Sequence, residues 1–218
     1  VDWAGEVDAW PMYRNDEINN CVLVTCAHLV QGWTQYAAGT PHVIDESDVI
    51  GAYSAVAGYD PARGEPDVGC FSLDALNHWR KNGIGRRQVI AYVRLDHRDD
   101  TEVKTATHLF GGLFIAAQMP LDADRQFQDG KTWIPTRGAA GRRGSWGGHA
   151  MHLGGYDRRG LTVTTWGRAQ RMTWNWWDSY VVEAWALVST DWINANSGKT
   201  PLGFDMNAML ADLHRVTA

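Results

Sequence analysis

Apolar positions are densest from Cys21 to Trp33, where Cys-Val-Leu-Val-Thr-Cys-Ala-His-Leu-Val-Gln-Gly-Trp follows the pair Asn19-Asn20. Asn is a preferred helix N-cap, and so continuous an apolar run predicts a helix that is buried on all sides. Sparser patterns predict two more helices, Ser47 to Val56 and Leu73 to Lys81, the second stopping at Asn82-Gly83. After that the period changes. Gln88 to Leu95 reads as a strand, Asp99 to Leu109 as a helix, and Gly112 to Met119 as a strand ended by Pro120. The stretch Leu121 to Ser145, rich in Gly, Arg and Asp, reads as a long loop. Alternation predicts a hairpin of His149 to Leu153 and Leu161 to Trp166, joined through Tyr-Asp-Arg-Arg-Gly, and a further strand over Tyr180 to Val188. Helices lead and antiparallel strands follow, which is the pattern of an α+β fold with segregated elements.

Composition narrows the function classes. The chain has 218 residues, enough to bury a sizeable core without a disulfide or metal staple, as one large domain or two lobes sharing a cleft. Lys and Arg number 20 against 25 Asp and Glu, for a net charge of −5, and no block of like charge occurs. This argues against a nucleic-acid footprint and against a polybasic membrane patch. The longest stretch free of formal charge, Ile18 to Ile44, holds Asn19, Asn20, His28, Gln31 and Gln35, so no membrane-spanning segment is expected. Val1-Asp2-Trp3 has neither the cationic start nor the apolar run of a secretory leader, so no signal peptide is read there. Tryptophan, with 12 residues, is overrepresented and points to aromatic-walled packing or an aromatic cleft.

Three cysteines, Cys21, Cys26 and Cys70, form no C-x-x-C pair, which fits neither a disulfide framework nor a zinc site and leaves at least one free thiol. Cys21 stands at the predicted helix start, where the helix dipole and free N–H groups favour thiolate and lower the pKa. Cys26, five residues on, points elsewhere and reads as a buried inert thiol. A base for Cys21 is offered by His149, set in Gly-Ser-Trp-Gly-Gly-His-Ala-Met-His, whose glycines let other groups approach the ring. His152 falls on the opposite strand face, and His28 lies two helical turns from Cys21.

The succession Asn-Asn-Cys at a helix start, Gly-Gly-Leu-Phe-Ile-Ala-Ala-Gln-Met-Pro, Gly-Gly-His-Ala-x-x-x-x-Gly-Tyr-Asp, and a strand ending Thr-Thr-Trp-Gly resembles the papain-like cysteine peptidases from about Asn15 to Val188. The chain is also similar to papain-fold proteins of actinobacteria and their phages, a likeness that brings no substrate with it. The resemblance implies a single papain-like domain over residues 1–218. Its helical lobe would span about 15–85, its strand-rich lobe about 86–190, and a C-terminal helix about 205–216. It also implies Cys21 as nucleophile and His149 as base. Asn15, six residues before Cys21, stands where the family has an oxyanion-binding Gln, and Thr164 where it has the Asn that orients the base. Trp166-Gly167 matches the family's Trp-Gly, whereas Gly-Ser-Cys-Trp around the nucleophile is missing.

The expected reaction is acyl transfer, above all hydrolysis of a peptide or amide bond; ligation or transglutaminase-like exchange would use the same residues. The alternative is a papain-fold binding or structural protein, such as a phage virion component with an assembly partner. No cofactor or metal is expected: there is no H-E-x-x-H, no paired Cys/His motif, and no G-x-G-x-x-G between a strand and a helix. A peptidoglycan-cleaving Cys–His enzyme would need a second His soon after the first as its third polar group, and none matches.

Overall fold

The computed structural model describes residues 1–205 and, beyond them, 208, 209, 211 and 215. Helix α1 (Cys21–Ala38) is buried on nearly every side, as its continuous apolar run dictates, and ends where Gly39 takes a left-handed conformation (φ 70°) and donates its N–H to Gln35. Helices α2 (Glu46–Ala57) and α3 (Ser72–Asn82) pack on it. The Trp33 and Trp79 rings stack 5.9 Å apart within that helical core.

Six antiparallel strands follow: β1 (Ala91–Arg94), β2 (Leu113–Met119), β3 (Gly147–Tyr156), β4 (Gly160–Thr165), β5 (Arg168–Thr173) and β6 (Val181–Val188). Their order in the sheet is β1-β6-β2-β3-β4-β5. Helix α4 (Asp100–Phe110) starts on Asp99, whose carboxylate accepts from the N–H groups of Thr101 and Glu102. A 3-10 turn, Thr190–Trp192, returns to α1.

The sheet is buried on both faces. Phe114, Ala150, Trp185 and Leu187 point to the α1 side. Ile115, Ala117, Met151, Leu153, Leu161 and Val163 fill a second core, closed by stacked Trp133 and Trp176. This two-sided burial decides which way each residue of β3 and β4 faces, because alternate residues enter different cores.

Three elements depart from the sequence reading. The expected loop Leu121 to Ser145 contains helix α5 (Asp122–Gln128), held by Trp133 Nε1 donating to the Ala123 carbonyl and by a reciprocal pair of bonds between Gln126 and Ile134. Strand β5 and the short helix α6 (Trp174–Tyr180) were not legible, and Tyr180 ends α6 instead of starting β6. The C-terminal helix expected at 205–216 falls largely outside the described residues. Among the described residues, no helix is long and apolar enough to cross a membrane, and no cluster of three His, Cys, Asp or Glu could hold a metal ion.

Candidate active site

The start of α1 is fixed by a turn that reverses the chain before it. Tyr13 (φ 53°) and Arg14 (φ 58°) are both left-handed. Asn20, read from sequence as the helix cap, makes no capping bond; its side-chain N–H donates to the Tyr13 carbonyl at 2.7 Å, and its oxygen accepts from the Asn15 amide at 3.1 Å. Buried Asn20 is thus the pin that holds the turn against the helix. Asn15 reaches the cleft wall, but its amide nitrogen is already committed to Asn20 and, at 3.4 Å, to the Ile18 carbonyl.

Cys21 is half-buried at the first position of α1, and its sulfur meets the backbone N–H groups of Ala150, Val22 and Cys21 itself. These donors favour thiolate, as the helix-start argument anticipates, yet burial outweighs them and pushes the thiol above its ordinary value. The expectation of a lowered pKa is therefore corrected. Cys26 is wholly buried and pushed up further, and Cys70, packed on the same core, is raised to about 12. Alkylation of Cys21 by iodoacetamide should accordingly climb through pH 6 to 9 without a plateau and outpace Cys70 and Cys26 throughout. Site-resolved mass spectrometry of the rates checks this; a plateau below pH 7 would show that a thiolate is held there.

His149 enters from β3. Its ring is only 8% exposed and stacks on Trp166, with centroids 4.3 Å apart and planes 16° from parallel. Desolvation by that contact and its surroundings lowers the imidazole to about 3. At neutral pH both partners rest uncharged. Trp166 is held in place by the tight β4–β5 turn, where Trp166 (φ 43°) and Gly167 (φ 76°) are both left-handed, as a two-residue hairpin of this hand requires. A non-glycine residue in this region costs on the order of 1–3 kcal/mol, and the turn places that cost beside the candidate site.

The far side of His149 is where the sequence reading is corrected most. His149 Nε2 lies 2.7 Å from Thr165 Oγ1, not from Thr164. Thr164 is the cross-strand partner of His152, and its buried hydroxyl has no hydrogen-bond partner among the described residues. Val163, Thr165 and His149 share the face of the second core, whereas Thr164 and His152 share the α1 face. Thr164, expected where the family has its orienting Asn, is therefore on the wrong face to reach His149.

Cys21, His149, Asn15 and Trp166 line one cleft of about 540 Å³, together with residues from the first turn (Met12, Asp16), β2 (Met119) and α5 (Asp124, Phe127, Gln128). Cβ atoms built on Gly147 and Gly148 would meet nothing within 4 Å, so these glycines leave the approach to His149 open. The α5 wall was missed with its helix; Pro120 followed by Asp122 and Asp124 was the available start signal. His28 and His152 lie outside the cleft. His28 Nε2 binds the Pro11 carbonyl at 2.9 Å, and Trp10 contacts both imidazoles, at 5.2 and 5.6 Å.

No protein-family model matches the chain, and no curated protein does. Solved structures do. Xylellain, a cysteine protease from Xylella fastidiosa, aligns with a TM-score of 0.64 at 12% identity over 87% of this chain and 85% of its own. A Carica candamarcensis cysteine protease in complex with E-64 aligns at 0.57 and 14%, over 87% and 97%. Bromelain from Ananas comosus, also with E-64, aligns at 0.56 and 11%, over 87% and 98%. At such identities the likeness is one of fold: this chain has the α+β architecture of papain-like cysteine proteases.

Proposed function

We propose that this protein is a cysteine hydrolase that cleaves a peptide or amide bond with Cys21 as nucleophile and His149 as general base. The observation that carries the reading is the meeting in one open cleft of a thiol at a helix start and an imidazole whose far nitrogen is held by a hydroxyl. With Thr165 accepting from Nε2–H, Nδ1 is left to take the thiol proton. Sulfur attacks the carbonyl carbon as that proton moves to Nδ1, so the uncharged resting pair becomes charged only in the reacting complex. The N–H of Cys21 is the available donor for the developing oxyanion, since the Asn15 amide is bonded within the turn. The imidazolium then protonates the leaving amine, which departs to give a thioester. Water, deprotonated by the same imidazole, hydrolyses the thioester and restores the thiol.

The test is a peptidyl epoxide applied to the intact protein, with the adduct mapped by mass spectrometry. A single adduct on Cys21, slowed in His149→Ala, supports the hydrolase. No adduct, or one on Cys70 alone, supports the second reading, a binding or structural protein with an idle pair, which the raised thiol and the committed Asn15 amide favour.

Thr165 and Thr164 give a paired prediction. Thr165→Val removes one hydrogen bond to the imidazole, worth about 1.4 kcal/mol once charge develops, and should lower kcat about tenfold with KM little changed. Thr164→Val removes a hydroxyl with no hydrogen-bond partner among the described residues and should leave kcat within about twofold. Equal losses in both variants would mean that neither hydroxyl orients His149.

A further inference from the structure

The cleft is electrically one-sided. Asp16 lies on the wall before α1 and Asp124 on the wall made by α5, and the lining contains no Lys or Arg. The cations near these walls are engaged elsewhere: Arg14 with Glu17 at 2.9 Å, Arg125 with Asp122 at 2.9 Å, and Arg168 with the Phe127 carbonyl and, at 3.8 Å, the Phe127 ring. The Asp124 side chain is met only by the Gln128 amide, at 3.3 Å, so no cation neutralises it among the described residues. Trp146 and Trp166 line the same cleft, as does Phe127, whose ring already carries Arg168 on one face. Trp146 is 40% exposed and packs at 5.2 Å on Trp166, which in turn covers His149.

A carboxylate next to aromatic faces is a receptor for an ammonium or guanidinium group, because the carboxylate supplies charge and the ring faces supply the quadrupole and an apolar seat for the methylene stem. An anionic side chain would meet uncompensated repulsion in the same place. We propose that this cleft selects peptides with a Lys or Arg side chain adjacent to the scissile amide, and that Asp124 receives that cation. The proposal rests on the hydrolase reading for its location and adds the substrate class. If Asp16 and Asp124 were only solvated surface carboxylates, they would impose no such order on peptides.

The test separates the two readings by measuring binding and turnover independently. N-acetylated hexapeptides identical except for Lys, Gln or Glu at each position in turn are titrated against Cys21→Ala by calorimetry, and turned over by the unmodified protein. At one position Lys should bind about tenfold tighter than Glu, with Gln between, and kcat/KM should follow the same order. Asp124→Asn should shrink the Lys-to-Glu ratio to about threefold or less, and added salt should shrink it in the parent protein. Equal binding of Lys and Glu peptides at every position overturns the proposal, as does a preference that survives in Asp124→Asn. A Lys preference in binding with no turnover of any peptide would uphold the cation site and sink the hydrolase.

Discussion

Cys21→Ala should lower amide hydrolysis by at least ~10⁴-fold, with any residue of rate owed to binding and to the N–H donors that remain. The substitution deletes one half-buried sulfur at a helix start whose geometry is pinned by Asn20 and Tyr13, so α1 should keep its place and the melting temperature should shift by only a few degrees. His149→Ala should cost about 10³-fold or more in kcat, because the thiol is left raised by burial with no base to take its proton. The measurement is kcat and KM for parent and variants on one peptide, alongside the melting temperature of each. Hydrolysis that persists in Cys21→Ala at more than about one-hundredth of the parent rate would place the chemistry on another residue.

A second large effect is expected on acidification. His28, His149 and His152 are buried and neutral, lowered to about 4, 3 and 3 against an ordinary value of 6.5. Between those values the unfolded chain binds protons that the folded chain does not, so stability is highest above pH 6.5 and falls as pH drops through the window. At pH 5, about 1.5 units below the unfolded value, each histidine contributes roughly 2 kcal/mol of destabilisation, and the three together approach ~6 kcal/mol. That rivals the whole stability of an ordinary domain. The melting temperature should therefore fall by more than about 10 °C between pH 7.5 and 5.0. Among the described residues neither nitrogen of His152 has a hydrogen-bond partner, so His152→Leu should reduce the fall by about a third without loss at pH 7.5. A melting temperature unchanged between the two pH values would contradict the buried neutral state. The base itself titrates lower than the fold does, so the acid limit of activity should coincide with unfolding.

The sequence carried the parts of the fold that rest on strong local signals. The apolar run behind Asn19-Asn20 is α1, and the Gly-Gly-His stretch opens β3 beside the cleft. Where competing effects decide, reading failed for physical reasons. The face of Thr164 depends on which of two cores each β4 residue enters, and apolar alternation is silent in a strand buried on both sides. Helix α5, seven residues of Asp-Ala-Asp-Arg-Gln-Phe-Gln, is too short and polar to show a period; Trp133, distant in sequence, helps to hold it. The thiol of Cys21 has the donors a helix start provides, but only the folded chain reveals how much water it loses.

The place of β6 in the sheet bears on when the protein becomes competent as it is made. β6 lies between β1 and β2, and the segment just after it closes on the far ends of α1 and α4: Asn194 donates to the Ala37 carbonyl of α1 and Trp192 to the Leu109 carbonyl of α4, each at 2.8 Å. Synthesis runs from the N-terminus, so α1 and its cysteine leave the ribosome long before the strand that completes their platform. Until about residue 194 has emerged, the nascent chain has a sheet split at β1 and β2 and a helix α1 without its full seat. Joining them requires contacts far apart in sequence, the slow kind to form. A chain stalled before β6 should thus be inert toward its neighbours on the polysome, and competence should arrive only with the last strand.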